Sequence, residues 1–250
     1  MSPEKKMSKR QVMRAKRERQ ARIQQIGIIG IIVVGAVLVA FALIYPNLKP
    51  VGAVATANAH DRPMVNDNAL GDPNAPIKIE EFSDYQCPYC ARFHEETETQ
   101  LTDTYVADGT VYFVYRSFGE FIGPESKAAA EAAYCAGDQN KYWEYHDILF
   151  ANQTGENVGA FTNRRLQAFA ESLSLDMNAF DSCLNSGKYS DRVDQDGVDG
   201  TAAGVTGTPA FFLTYTVNGE TKHKLIAGAY PLSEFQTQIE AALTEMGIKK

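Results

Sequence analysis

Cys87 and Cys90 stand in the stretch SDYQCPYCARFHEE, residues 83–96, with only Pro88 and Tyr89 between them. Two cysteines at this spacing can do three kinds of chemistry. They can staple a loop, supply half of a zinc site, or make and break their own bond. Zinc held by four thiolates calls for two such pairs, and the remaining cysteines, Cys135 and Cys183, stand singly and far apart. A bridge across so short a loop constrains little of the unfolded chain. A redox pair uses the spacing best, because a small disulfide at a helix start opens easily.

That chemistry depends on where the pair sits. Ile77–Phe82, IKIEEF, reads as a strand, and the next residues lead into a helix from Pro88 to about Tyr105. In that helix Phe93, Thr97 and Leu101 recur every four residues on one face. Pro88 falls at the first helical position, where a missing N–H costs nothing. The Cys87 sulfur then faces the unpaired N–H groups and positive end of the helix dipole, which favour a thiolate. The thiolate is the attacking species. Cys90, one turn on, can release a mixed disulfide by attacking Cys87.

The elements around this core alternate. TVYFVYRSF, residues 110–118, is rich in β-branched and aromatic residues and predicts a buried strand. From Ser126 to about Ser190 the pattern is helical. Strand character returns in TPAFFLTYTVNG, with Asn218-Gly219 as a hairpin turn and KLIAGAY as the returning strand. A helix over about Leu232–Met246 closes the chain. The order predicts an α/β fold, a mixed sheet flanked by helices with a helical block inserted at about 124–198.

GDPNAPIKIEEFSDYQCPYCARF and, far downstream, GVTGTPAFFL resemble the DsbA-like thiol–disulfide oxidoreductases of thioredoxin fold, over roughly residues 70–250. The resemblance implies that Pro209 is cis and lies beside the active-site disulfide. It implies that Thr208 pairs its backbone with a client chain, with Pro88 and Tyr89 also at the client face. It places Glu81 beneath the disulfide, able to move a proton to or from Cys90; a register error would exchange Glu81 with the neighbouring Glu80. Strong oxidants of this family often carry His where this chain has Tyr89. Tyrosine carries no positive charge, so the thiolate here must rely on the helix end and backbone donors. The implied cofactor is none beyond the redox disulfide itself. The implied partners are reduced secreted or membrane proteins, together with a quinone-linked membrane reoxidant, DsbB-like or vitamin K epoxide reductase-like. An isomerase or reductase of the same fold, or a thioredoxin-fold module that binds a client or copper, are the competing functions.

With Cys87 and Cys90 as the working pair, Cys135 and Cys183 are left to form a structural disulfide in an oxidising compartment. Two buried free thiols are the alternative. His94 reads as a solvent-facing helix residue and His146 as packing at the edge of the inserted helices, neither belonging to a metal cluster. Tyr142, Trp143, Tyr145 and Phe150 read as core of the helical block.

Residues 1–25 hold nine Lys or Arg against Glu4 and Glu18, which leaves 15 basic and 29 acidic residues for the rest of the chain. Residues 26–45, IGIIGIIVVGAVLVAFALIY, are apolar throughout. Their length matches the roughly 30 Å hydrocarbon core of a bilayer. This predicts a membrane anchor rather than a cleaved signal, whose apolar core is shorter; an Ala57-Asn58-Ala59 site lies well past the apolar run. The basic flank predicts a cytoplasmic tail over 1–25 and an extracytoplasmic remainder. That remainder comprises a linker over 46–72 and a domain over 73–250, a compartment in which disulfides persist. The acidic balance of the domain argues against nucleic acid as a partner. Nothing in the sequence calls for more than a monomer.

Overall fold

The structure, a computed structural model, describes residues 9–48, 51–57 and 60–249, and the chain divides into two compact units, Met1–Pro50 and Val51–Lys250. Lys5 and Lys6 of the basic tail, and Asn58 and Ala59 of the Ala-x-Ala site, lie outside the described residues. The first unit carries helix α1 (Lys9–Leu48). Within its segment Lys16–Tyr45 an 18-residue window has a mean hydropathy of 3.0, and none of the residues of that window is buried. Among the described residues it is the one helix long and apolar enough to cross a membrane.

The second unit is built on a five-stranded mixed sheet in the order β1-β3-β2-β4-β5. Its strands are β1 (Ala69–Leu70), β2 (Ile77–Ser83), β3 (Val111–Ser117), β4 (Ala210–Val217) and β5 (Glu220–Ala227). β2 and β3 run parallel, with Glu81 opposite Tyr115 and Ser83 opposite Ser117. β4 lies antiparallel to β2 on its other side. Asn218 and Gly219 both take left-handed backbone, φ 53° and 82°, the conformation a two-residue hairpin demands. β5 therefore starts at Glu220, earlier than the apolar KLIAGAY suggests, because its first residues are polar and exposed.

Alternation along β2 sends Ile77, Ile79, Glu81 and Ser83 to one face and Phe82 to the other. The first face meets the main core, in which Phe93 packs on Phe211 and Phe235, ring centroids 4.4 and 5.5 Å away. On the second face Phe82, Phe118, Val205 and Ala210 form a smaller cluster. Helix α8 (Ser190–Ala202) covers it at Gly200, where a Cβ would stand 2.7 Å from Phe82 and 2.9 Å from Phe118.

The helix opened by Pro88 continues to Val106 without being a regular α-helix throughout. α2 (Pro88–Phe93) and α3 (Thr99–Leu101) alternate with π-turns at His94–Glu98 and Thr102–Val106. A π-turn adds a residue to the turn and rotates the face that follows, and Glu98 is carried fully inward. Between β3 and β4 lies the helical block: α4 (Pro124–Gly137), α5 (Tyr142–Ala151), α6 (Asn163–Ser172), α7 (Met177–Ser186) and α8. Cys135 on α4 and Cys183 on α7 are joined, with Cα atoms 5.8 Å apart. Tyr142, Trp143, Tyr145 and Phe150 are buried in this block. Helix α9 (Leu232–Glu245) closes the fold against Phe93 and Phe211.

The linker expected over 46–72 needs correction at Ala55 and again from Arg62 onward, where the chain is held to the domain. β1 adds to the edge of β3 in antiparallel register, and Leu70 is fully buried. Arg62 forms buried ion pairs with Glu98 and Asp147, and Ala55 exchanges hydrogen bonds with Asn152. The polar, period-free sequence concealed this because its hold on the domain comes from side-chain ion pairs and a two-residue strand.

Candidate active site

Cys87 occupies the N-cap position of α2, with extended backbone (φ −75°, ψ 121°) and Pro88 behind it at the helix start. Its backbone is fixed from both sides. The Cys87 N–H donates to the Asp84 carbonyl at 2.9 Å and Ala91 N–H donates to the Cys87 carbonyl at 3.1 Å. Gln153, just past α5, donates its amide to the carbonyls of Tyr85 (2.6 Å) and Cys87 (3.1 Å). Asp84 is itself buried and accepts from the N–H groups of Gln86 and Ile122. The loop that carries the nucleophile is thus held by strand, block and β3–α4 connection together.

Both cysteines are thiols in this structure. The Cys87 sulfur donates to the Thr208 carbonyl at 3.3 Å, across 121 residues of sequence. Thr208 and Pro209 share a cis peptide bond, and the Pro209 carbonyl accepts from Gly228 N–H at 2.8 Å. Pro88 and Tyr89 are exposed at the same face, and the Arg92 guanidinium lies 5.1 Å from the Tyr89 ring centre. Residues that are separate in sequence, CPYC and TGTPAF, therefore form one surface.

The environments of the two thiols differ sharply. A hydrogen bond from Cys90 pulls the Cys87 thiol down from 9.0 to about 6, with further help from Thr208 and the N–H groups of Cys90 and Tyr89, against the opposing effect of burial. Cys90 is fully buried; that burial, then the hydrogen bond it gives Cys87, push its thiol well above its usual range. The Asp84 N–H donates to the Cys90 sulfur at 3.5 Å.

Of the two neighbouring glutamates, Glu81 and not Glu80 is the buried one that feels the thiols: its charge and those of Cys87 and Cys90 oppose one another. Glu80 points away and pairs with Arg116 at 3.0 Å. Glu81 is buried, and desolvation followed by the charge of Glu98 holds its carboxyl well above the usual range. Its Oε2, the Ser83 hydroxyl and the Tyr115 hydroxyl are all buried and make no well-aligned hydrogen bond among the described residues, but the Ser83 hydroxyl lies close enough to favour the ionised forms of Glu81, Tyr115 and Cys90. The Glu81 charge disfavours ionisation of Cys90, and the Cys87 charge disfavours that of Glu81, as neighbouring buried acids must.

One group of residues escaped the sequence reading. His94 is not solvent-facing: its side chain is 21% exposed and its ring stacks on Phe150 at 4.9 Å. His146 is completely buried. Nε2 of His146 and Nδ1 of His94 both meet Glu98 Oε2, at 3.1 and 3.2 Å. His94, Glu98, His146 and Asp147 bring their ligand-type atoms within 4.8 Å of one another, contrary to the expectation that neither histidine joins such a cluster. The Arg62 guanidinium lies among them, donating twice to Asp147 (2.7 and 2.9 Å) and once to Glu98 (3.0 Å). The chain itself thus supplies the cation these carboxylates require. The only sequence hint was the pair of acid and base types at His94 and Glu98; the other partners come from 36 and 48 residues away from Glu98.

A parallel β2–β3 pair, an antiparallel β4–β5 hairpin and a CxxC at the strand-to-helix junction facing a Thr-Pro loop define a thioredoxin-fold domain with a site for thiol–disulfide exchange. The thioredoxin family model matches residues 64–241, and the chain belongs to that family. BdbD from Bacillus subtilis in its oxidised form superposes with a TM-score of 0.62 at 22% identity, over 76% of this chain and 100% of that one; at that identity the likeness is one of fold. The chain is 27% identical over 150 residues to "Probable disulfide bond formation protein D" of Bacillus cereus, covering 58% of this chain and 68% of that protein. It is also 33% identical over 178 residues to "Na(+)/H(+) antiporter NhaA 1" of Salinispora arenicola, covering 70% of this chain but only 24% of the antiporter. The chain spans about a quarter of the length of the antiporters it matches, and their transport is a property of those proteins.

Proposed function

We propose that this protein is a membrane-tethered thiol–disulfide oxidoreductase that introduces disulfides into secreted or membrane proteins. Residues 1–25 stay in the cytoplasm, 26–45 span the bilayer, and the thioredoxin-fold domain stands outside. The observation that carries the reading is the split between the thiols: Cys87 held near 6 at a helix start, and Cys90 buried and hard to ionise. A low-pKa Cys87 is a good leaving group and a stable thiolate, which favours the reduced enzyme and hence the oxidation of clients.

In the proposed cycle a client thiolate attacks Cys87 of the oxidised pair. The Cys87–Cys90 bond breaks, a client–Cys87 bond forms, and Cys90 leaves with the electron pair and takes a proton from Glu81. A second client thiolate then attacks the client sulfur, releasing the client disulfide and the Cys87 thiolate. Two electrons have passed from client to enzyme. Thr208 presents its backbone to the client, and Pro88, Tyr89 and Pro209 complete the face. A quinone-linked membrane partner, DsbB-like or vitamin K epoxide reductase-like, takes the electrons on. Cys135–Cys183 takes no part in transfer.

The test uses the full chain in detergent micelles, oxidised and then mixed with a reduced model protein containing two thiols. The reading expects client disulfides to form at the expense of the Cys87–Cys90 bond. It also expects Cys90→Ser, offered the same client in its disulfide form, to accumulate client adducts on Cys87, because the Cys87 thiolate opens the client disulfide and no Cys90 is present to release it. A module that only binds clients would yield neither.

A further inference from the structure

The Glu81–Cys90 pocket is sealed. Glu81 is 1% exposed and Cys90 not at all, and a client seated at Cys87 and Thr208 covers the nearest face. Yet whenever Cys90 resolves a mixed disulfide, its proton must leave the protein. The Ser83 hydroxyl interacts with both Glu81 and the Tyr115 hydroxyl, and the Tyr115 hydroxyl with that of Tyr85, which begins a string of polar side chains. Glu81 stands opposite Tyr115 in the β2–β3 register. The Tyr115 ring stacks on Tyr85 at 5.2 Å and meets the His146 ring edge-on at 4.8 Å. The Tyr85 hydroxyl lies 3.1 Å from His146 Nδ1. His146 Nε2, Glu98 Oε2 and His94 Nδ1 follow at 3.1 and 3.2 Å. His94 opens onto a cavity of about 590 Å³ that it lines with Thr99, Asp147 and Phe150.

We propose that Tyr115, Tyr85, His146, Glu98 and His94 form a proton route between the buried Glu81–Cys90 pocket and this cavity. His146 is its central positioning residue. The proposal rests on the oxidoreductase reading. In the resolving step the Cys90 proton passes to Glu81, and the Cys90 thiolate attacks Cys87. The Cys87–client bond breaks and the client sulfur leaves as a thiolate with the electron pair. The proton on Glu81 then moves along the hydroxyls to His146 and out through Glu98 and His94 to water. Buried tyrosine hydroxyls suit this task, being both donors and acceptors. Attack on oxidised Cys87 returns a proton along the same groups.

The charged and titratable groups around His146 set its behaviour. They are Tyr85 from the active-site loop, Tyr115 from β3, His94 and Glu98 from the π-turn, and Tyr142 and Asp147 on its own helix. Arg62 reaches Glu98 and Asp147 from the N-terminal segment. Burial, its largest influence, keeps His146 below the usual histidine range, so the ring releases a proton it receives rather than holding it.

The experiment measures resolution of a Cys87–glutathione mixed disulfide in the full chain, by glutathione release, in water and in deuterium oxide. His146→Gln is expected to slow resolution about tenfold, less than the roughly 10²–10⁴-fold of a group that itself meets the reacting atoms, and to enlarge the solvent isotope effect. Cys87 titration is expected to stay unchanged. His146→Ala is expected to regain rate on addition of imidazole. Tyr85→Phe, which removes one hydroxyl, is expected to act in the same direction and decides the matter if the His146 variants do not fold. Wild-type rates and isotope effects in folded variants would overturn the route while leaving the oxidoreductase reading intact. Failure of the wild-type chain to resolve the adduct at all would overturn that reading instead.

Discussion

Cys87 and Cys90 share one domain and one compartment with Cys135 and Cys183, but the surroundings of the two pairs have little in common. The first pair lies three residues apart at the junction of β2 and α2, joined to the Thr208 carbonyl and surrounded by groups that hold one thiol acidic and the other protonated. The second joins α4 to α7 across 48 residues inside the helical block, with Cα atoms 5.8 Å apart. Chemistry at cysteine is thus assigned by environment: a helix start with donors makes a reactive sulfur, and a long closed loop makes a stabilising one.

The largest test of that contrast is Cys87→Ser. It is expected to reduce disulfide transfer to the uncatalysed background while leaving the melting temperature of the domain at pH 5, where the Cys87 thiolate contributes nothing, close to that of the reduced wild type. Activity and thermal melting on one preparation check both. Next, Cys135→Ala combined with Cys183→Ala is expected to cost roughly 2–4 kcal/mol of stability, read from urea midpoints, with the transfer rate of the folded fraction unchanged. A loss of transfer without a loss of stability would merge the two roles.

A smaller effect separates the pairs by pH. Cys87 has a folded value near 6, below the unfolded thiol at about 8.5. Its contribution to the stability of the reduced form is complete above the unfolded value and disappears as pH falls through about 6. Cys90 is shifted upward and works against stability only above the unfolded value. Between pH 6 and 8.5 the reduced form should therefore gain on the oxidised form as pH rises, measured as the difference between their urea midpoints. A flat difference would mean that Cys87 is an ordinary thiol. Thr208→Val, which removes the hydroxyl beside Cys87, should raise the Cys87 value by less than about one unit, with Cys135–Cys183 unaffected.

The sequence made much of this legible. The strand, the CxxC at a helix start and the distant Gly-Thr-Pro are local signals, each set by a few adjacent residues. Alternation along IKIEEFS was enough to separate Glu81 from Glu80 once the pairing with β3 was known. The Arg62–Glu98–Asp147 cluster and the inward turn of His94 were not legible. They depend on a π-turn that breaks the 3.6-residue period and on partners contributed by three separate segments. The attachment of residues 60–71 was hidden for a related reason, since it rests on ion pairs and a two-residue strand.

The most direct measurement is the ultraviolet titration of the Cys87 thiolate in the reduced chain, from pH 4 to 10. The account expects a single thiolate to appear with its midpoint near 6, absent from Cys87→Ser and unchanged when Cys135 and Cys183 are replaced. A midpoint at the ordinary thiol value of about 8.5 would contradict it, because Cys87 would then have no advantage over any other thiol in the protein.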